Sequence, residues 1–552
     1  MGTSGWRTPA RAAAVLMAAV AAAGIQGGAR LDAETVHVAK TGDDAHDGLS
    51  WQTSKLTVQA GLNAAAPGEQ VWVAAGTYLE NVTLKTGVAL YGGFAGGETD
   101  LSQRNWSTHV TVLDGNQAGC VVMVPGSATS STRIDGFVIR NGTAYQSDVG
   151  WFGGGIYCYL ASPTIANNTF TLNTADDGGG GIYCEESSAV ITDNTFTGNS
   201  SACGGGICCY IATPTIARNM VVGNAAGYGG GIYCESSSAT ISGNIVARNS
   251  ADYGYGGGIY CDYYSSPPIV NNMVTGNSAA SGYGAGIFCD WYSSPIIVNN
   301  VLAGNIADNG LGGGIYLEWY ASPTIANNTI TANSAYLGGA VYCYYAAPVI
   351  ANTIVAYNSS GICRAGGDSP SLRYNCVFGN ISYDYSGLAD PTGADGNIAA
   401  QPKFVRQAGP GMDGLWATAD DDYGDLHLLP GSRCIDAGGN AEVPPDAADL
   451  NGNGNTAELT PIDLAAGPRF ANDPAAPDTG SGSAPIVDIG AYEYHPGDAT
   501  GDGHVDASDL LVLAAAWGRL AGDPIYDPRC DMNVDNAVDV SDLLILAFNW
   551  GA

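Results

Sequence analysis

From Gly153 onward, short runs that alternate apolar and polar residues are separated by glycines and small polar residues. The phrase GGGIYC, or a close variant, begins at Gly153, Gly179, Gly204, Gly229, Gly256, Gly284, Gly312 and Gly338. Within it Ile and Cys fall on one face of an extended strand and Tyr on the other. A turn such as SSP follows, then short strands such as PTIANN and NTFTGN. Cys158, Cys184, Cys209, Cys234, Cys261, Cys289 and Cys343 end the phrase at intervals of 25–28 residues, and Leu317 fills the one rung without a Cys. A repeat of that length marks a solenoid. One unit cannot bury its own Ile and Cys, whereas parallel strands stacked on their copies form a continuous core. The pattern therefore predicts an all-β, right-handed parallel β-helix, with regular coils over about 134–363.

Stacking turns equivalent letters into columns. Leu at one rung of the cysteine column indicates a buried apolar slot in which Cys acts as a small hydrophobe. Strands ~4.8 Å apart are farther than the ~3.8 Å Cβ separation a disulfide favours, so a column of free thiols is expected. Asparagines form two more columns: Asn168, Asn194, Asn219, Asn244, Asn272, Asn300 and Asn328, then Asn173, Asn199, Asn224, Asn249, Asn277, Asn305, Asn333 and Asn358. Asn tolerates the left-handed backbone of a tight turn, and stacked amides can hydrogen-bond along a ladder.

Charge narrows the function. Lys and Arg total 19 against 52 Asp and Glu, a net charge of −33. That disfavours nucleic acid or an anionic membrane as partner. Residues 1–33 read as a signal peptide: Arg7 and Arg11 flank an apolar run at 12–24 too short to span a bilayer. A secreted or cell-surface location follows from that reading. With GGGIYC followed by NNTFTGN, the chain resembles right-handed β-helix proteins of pectin-lyase-like shape. In that resemblance residues 34–400 form the helix, with an N-terminal cap over 34–110 in which TVQAGLNAAA makes a short helix plugging the core. Residues 401–495 resemble the tail that caps the other end. A resemblance of this kind specifies shape better than activity.

The last fifty residues contain one motif twice, GDATGDGHVDASDLLVLAAAWG and CDMNVDNAVDVSDLLILAFNWG. Calcium loops take oxygen ligands at positions 1, 3, 5, 7, 9 and 12. The first copy offers Asp498, Thr500, Asp502, the His504 carbonyl, Asp506 and Asp509. The second offers Asp531, Asn533, Asp535, the Ala537 carbonyl, Asp539 and Asp542. Gly503 and Asn536 stand at the sixth position, where the loop turns sharply. A helix is expected after each loop, on the spacing of Leu510, Leu513 and Trp517 and of Leu543, Leu546 and Trp550. Residues 496–552 thus resemble a type I dockerin, which implies two Ca²⁺ sites and a cohesin-like partner met through positions 10 and 11: Ala507 and Ser508, or Val540 and Ser541. A weaker motif lies in DAADLNGNGNTAE (446–458), where Asp449, Asn451, Asn453 and Asn455 alternate but the twelfth-position ligand is missing.

The position after each ladder Cys should face outward, and it reads Tyr159, Glu185, Tyr210, Glu235, Asp262, Asp290, Glu318, Tyr344. Aromatic residues follow in the middle coils: Tyr263 and Tyr264, Trp291 and Tyr292, Trp319 and Tyr320. Rings suit the apolar faces of sugars and carboxylates suit their hydroxyls, so this edge is a candidate polysaccharide site. Asp262, Asp290 and Glu318, one rung apart at ~5 Å, are the candidate catalytic carboxyls, near the ~5–5.5 Å of retaining glycosidases. Residues 151–360 hold no Lys and only Arg218 and Arg248. Hydrolysis is therefore favoured over β-elimination, which in this fold uses Arg or Lys as base. Two readings stand: a secreted, dockerin-bearing protein that binds polysaccharide, with the acidic column open between a sugar-binding edge and a hydrolytic pair, and a non-catalytic cell-surface, adhesion or structural protein.

Overall fold

The computed structural model describes residues 35–144, 152–280 and 282–551. The expected signal peptide lies outside them. The repeat folds as three long parallel sheets of 13, 12 and 12 strands, with an eight-stranded fourth sheet built from the segment preceding each glycine run. Each coil pairs with the next in the register the sequence predicts. Cys158 faces Cys184, which faces Cys209, Cys234, Cys261 and Cys289 in turn, and Leu317 then bridges Cys289 to Cys343. All of these side chains are buried, and every described cysteine is a free thiol. Ile165, Phe170 and their counterparts from the other two long sheets fill the same core.

The asparagine columns are buried ladders. Asn249, for example, donates through Nδ2 to the Asn277 Oδ1 and the Val221 carbonyl, while its own Oδ1 accepts from the Asn224 backbone N–H and side chain. One detail departs from expectation. The left-handed backbone belongs to the residue before each ladder Asn: Asn167, Asp193, Arg218, Asn271, Asn299 and Asn327 in the first column. That residue makes the corner, and the next one turns its amide inward to satisfy the corner's polar groups.

The expected N-terminal helix forms as α1 (Val58–Ala64) and places Val58 and Leu62 over the first layer of the core. At the other end Tyr385 and Leu388 pack on the last core layers. Residues 401–495 run along the flank of the coils rather than across the end, where the sequence placed them. Phe404, Leu426, Ile435, Ile489 and Tyr494 cover the outer faces of Val301, Ala303, Ile354 and Ala356. The corner asparagines supply the polar half of this seam: Asn271 and Asn299 donate to the carbonyls of Asp463 and Ile462. The buried Arg469 guanidinium then holds VDIGAYEY in place by donating to the carbonyls of Asp488, Gly490 and Ala491. A strand edge or loop end would expose unpaired backbone groups, but the side of a stacked solenoid already offers an apolar stripe and a row of amides for the tail to cover.

Two further helices, α2 (Ala507–Ala516) and α3 (Val540–Phe548), follow the two C-terminal loops. Leu513 and Leu546 are buried between them as expected, whereas Trp517 and Trp550 lie beyond the helices and are largely exposed. Among the described residues no helix is long and apolar enough to cross a membrane.

Candidate functional site

The strand ending each GGGIYC phrase turns its Tyr away from the core. That face is not solvent-facing. Tyr183, Tyr233, Tyr260, Phe288, Tyr316 and Tyr342 are buried beneath the fourth sheet, against Tyr228, Tyr255 and Tyr283. The rings form a second aromatic layer, with centroids 4.7–5.3 Å apart from Tyr233 to Tyr342. Alternation along the strand indicated the direction of these rings but carried no sign of the sheet that covers them.

The acidic column borders this layer, and the buried tyrosines reach it. The Tyr233 hydroxyl lies 3.0 Å from Glu235 Oε2 and 2.8 Å from Asp262 Oδ2, so it bridges carboxyls of adjacent coils. One coil on, the Tyr260 hydroxyl donates to Asp290 Oδ2 at 3.2 Å. The next residue of the tyrosine column is Phe288, paired in register with Tyr260 and Tyr316. It has no hydroxyl to offer Glu318, so the ladder of donors stops there.

The electrostatics follow. Burial raises the pKa of Asp262, and the Tyr233 hydroxyl opposes that rise. Burial, helped by repulsion from Asp262, lifts Asp290 to about 6. Burial and then repulsion from Asp290 lift Glu318 to about 7, with no tyrosine donor to restrain it. Two carboxyls on adjacent coils, Asp290 and Glu318, are thereby held at different acidities near neutrality, the arrangement acid–base chemistry requires.

Beside them, Tyr263 and Tyr264, Trp291 and Tyr292, and Trp319 and Tyr320 each occupy two consecutive left-handed positions. Shorter coils have one such residue at this turn: Leu160, Glu186, Ile211 or Ser236. The enlarged turn projects the rings outward. Tyr264, Tyr292 and Tyr320 stack on one another at 5.2 Å, with interplanar angles of 4° and 15°. Trp291 and Trp319 form a looser second row, 6.3 Å apart and tilted by 34°, extended by Tyr345 stacked on Trp319. Inner ring faces are therefore covered by neighbouring rings.

Sequence reasoning missed a cleft. In GICCY (206–210) Cys208 stands where other coils carry Tyr, and Cys203 pairs with Tyr228 in the fourth sheet. Two small side chains in facing layers open a cavity of about 400 Å³, lined by Phe152, Asp177, Tyr183, Glu185, Tyr233 and Glu235 among others. Glu235 places this cleft next to the acidic column. The doubled Cys was the available signal.

The C-terminal loops repeat each other's hydrogen bonds. Asp509 accepts from the Thr500 and Asp506 N–H groups, and Asp542 accepts from those of Met532, Asn533 and Asp539. Asp498 accepts from Gly501 and Gly503, and Asp531 from Asp535 and Asn536. Gly503 and Asn536 take the left-handed turn expected at the sixth position. Among the described residues no three Asp, Glu, His or Cys side chains are gathered tightly enough to hold a metal ion. Here the first and twelfth carboxylates close each loop on its own N–H groups. The donor set, oxygen at alternate positions around a left-handed turn, fits Ca²⁺. Ala507 and Val540 are exposed at the starts of α2 and α3, with Ser508 and Ser541 half-buried beside them. The first loop abuts the tail, Gly501 lying against the His427 ring.

Comparison with known proteins agrees with this division. The model of the right-handed β-helix region matches residues 119–302, and that of the dockerin type I domain matches residues 496–548. Dockerin membership implies a capacity for calcium. No curated protein matches the sequence. Solved structures that resemble the chain include XylC in complex with xylose, 11% identical over 62% of this chain and 75% of that one, with a TM-score of 0.34. Another is the A-module of the mannuronan C-5 epimerase AlgE4 of Azotobacter vinelandii, 15% identical over 62% and 89%, TM-score 0.31. A third is the pectate lyase Pel9A, 14% identical over 84% and 96%, TM-score 0.34. With its coils in register and its paired calcium-type loops at the C-terminus, the chain is a right-handed parallel β-helix protein carrying a type I dockerin domain.

Proposed function

We propose that this is a secreted protein whose β-helix binds and hydrolyses an extracellular polysaccharide, and whose dockerin attaches it, with two bound Ca²⁺ ions, to a cohesin-like partner. The observation that carries the reading is the interrupted donor ladder: Asp262 and Asp290 receive tyrosine hydroxyls, and Glu318 does not. In this reading Glu318, about half protonated near pH 7, gives its proton to the glycosidic oxygen of the leaving sugar. Asp290, ionised at that pH, either attacks the anomeric carbon or takes a proton from the attacking water. Asp262 and the Tyr233 bridge set the charge beside Asp290. An acidic cleft favours a neutral glycan over a uronate, because uronate carboxylates would meet Asp177, Glu185 and Glu235 with no basic side chain among the described lining residues.

Ca²⁺ would be held by Asp498, Thr500, Asp502, the His504 carbonyl, Asp506 and Asp509, and by the equivalent set from Asp531 to Asp542. Bound there, it would fix the entry geometry of α2 and α3. Val540, Leu544 and Phe548 form an exposed apolar stripe on α3 suited to a protein partner.

The alternative is a non-catalytic adhesion protein. The stacked aromatic row favours it, since rings that cover one another strengthen a wall without offering faces to sugar. A panel of neutral and acidic polysaccharides, assayed for new reducing ends, separates the two. Glu318→Gln and Asp290→Asn should each abolish release while leaving glycan retention. Retention without release by the parent protein would establish the adhesion reading, and unchanged release by both variants would remove these residues from the chemistry.

A further inference from the structure

Residues 446–458 bulge from the tail as a closed loop. The ends meet through a bridge between Pro445 and Leu459, and the Asp446 N–H donates to the Glu458 carbonyl at 2.8 Å. Ala448 and Leu450 seat the loop on Val270, Val298 and Ala326 of the coils. Inside it, one carboxylate gathers the amides: Glu458 Oε1 accepts from Asn451 Nδ2 at 2.8 Å and Asn453 Nδ2 at 2.7 Å, and Oε2 from Asn455 Nδ2 at 3.4 Å. Asp449 Oδ1 accepts from the Gly454 N–H.

The second observation is Asp446. It is 1% exposed, its Oδ2 accepts from the Leu450 N–H, and its buried Oδ1 has no partner. The charges acting on it are the carboxylates of Asp449 and Glu458. No ion pair among the described residues reaches any of the three. Asp446 thus faces two like charges with no counter-charge, and one of its buried oxygens is left unsatisfied, a costly arrangement unless a cation draws the three carboxylates together.

We propose that this loop is a third calcium site, distinct from the dockerin pair, with Asp446, Asp449, Asn451, Asn453 and Glu458 as ligands. Asp449, Asn451 and Asn453 hold the first, third and fifth positions of a calcium loop, and Gly454 takes the left-handed turn at the sixth. Asn451 Oδ1 and Asn453 Oδ1 each accept one backbone N–H, from Asn453 and Asn455, and an amide oxygen keeps a second lone pair to offer an ion. The twelfth position, Thr460, is unavailable because its hydroxyl donates to the Pro444 carbonyl. Glu458, two residues earlier, takes that role because the bridge brings it back over the loop. A bound ion would lock the loop and clamp the tail onto the coils that carry Asp290 and Glu318.

Calcium titration calorimetry on the full chain tests this, with the double variants Asp449→Asn/Glu458→Gln and Asp509→Asn/Asp542→Asn. The first should bind one ion fewer than the parent, and the second should retain one ion. Amide exchange of residues 446–460 should slow on adding Ca²⁺ in the parent and in the dockerin variant. Equal stoichiometry for the parent and the loop variant, or a dockerin variant that binds no ion and shows unchanged exchange in the loop, would overturn the proposal. The exchange measurement on the dockerin variant decides the matter even if the loop variant fails to fold.

Discussion

Replacing Glu318 with Gln should make the protein more stable at pH 8 and leave it unchanged at pH 4. The Glu318 pKa is raised from 4.5 to about 7, chiefly by burial and then by Asp290. A carboxyl with a raised folded pKa prefers to be protonated in the fold. Below the unfolded value both states hold the proton and the group costs nothing. As pH rises through the window from 4.5 to about 7, the unfolded chain releases its proton first and stability falls. Above it the full penalty persists. At 1.36 kcal/mol per unit the undiscounted penalty would be near 3 kcal/mol, and partial solvent access roughly halves it, to about 1.5 kcal/mol. Gln mimics the protonated acid and should recover that amount at pH 8. Urea midpoints measured from pH 4 to 9 give the difference directly, since acids remote from the column act equally on both proteins. Asp290→Asn should recover a similar amount. The double variant should recover less than the two single gains combined, because each substitution also relieves the other carboxyl. A variant–parent difference that stays constant with pH would refute the coupled acid column.

Three further outcomes test the frame that holds the site. Asn249→Ala strips partners from the Asn224 N–H and the Val221 carbonyl, and should cost about 3–5 kcal/mol in denaturant unfolding; a cost under about 1 kcal/mol would mean the ladder is decorative. Burial lifts the Cys343 thiol to about 12, and the hydrogen bond with Cys289 followed by burial raises Cys261, so iodoacetamide at pH 8 should label neither until the protein is denatured, as read by peptide mass spectrometry. Gly276→Ala meets a left-handed backbone and the Tyr423 hydroxyl, and should loosen the tail, seen as faster proteolysis within 401–430 while the coils persist.

The coil-to-coil register was legible because it is periodic. Cys at one offset and Leu317 at the same offset define a buried column whatever the rest of the chain does, and the pairing follows letter by letter. The calcium-type loops were legible because their ligands are local. What could not be read is whatever depends on a distant segment without a period. The Tyr column alternates away from Cys, but nothing in GGGIYC states that the preceding SADYGY-like segment folds over it. The tail contacts of Asn271 and Asn299 span 192 and 163 residues and repeat nothing. Asn271 and Asn299 read as ordinary corner residues until their amides are seen bonding the tail. Glu458 stands at the tenth place of the twelve-residue template, where no ligand is expected, and only the bridge between Pro445 and Leu459 folds it back over the loop.

The candidate site arises where the solenoid departs from its own rule. The early coils repeat at 25 or 26 residues, the middle ones at 27 or 28. The turn after the acid accounts for part of the extra length, giving two consecutive left-handed residues in place of one, and both are aromatic. The same coils carry the acids whose hydroxyl donors run out at Phe288. A uniform solenoid would give every acid the same neighbours and hence the same pKa, which supplies a charged surface but no division into proton donor and acceptor. Changing one ring in the buried layer, Tyr to Phe, breaks that equivalence without disturbing the register, because the two rings pack alike and differ by one hydroxyl. Phe288→Tyr is the direct probe of this argument. It should supply Glu318 with the missing donor, lower its pKa toward that of Asp290, and shift the alkaline limb of any glycan-cleaving activity to lower pH; an unshifted limb would mean that the buried ring layer does not set the protonation of the acids beside it.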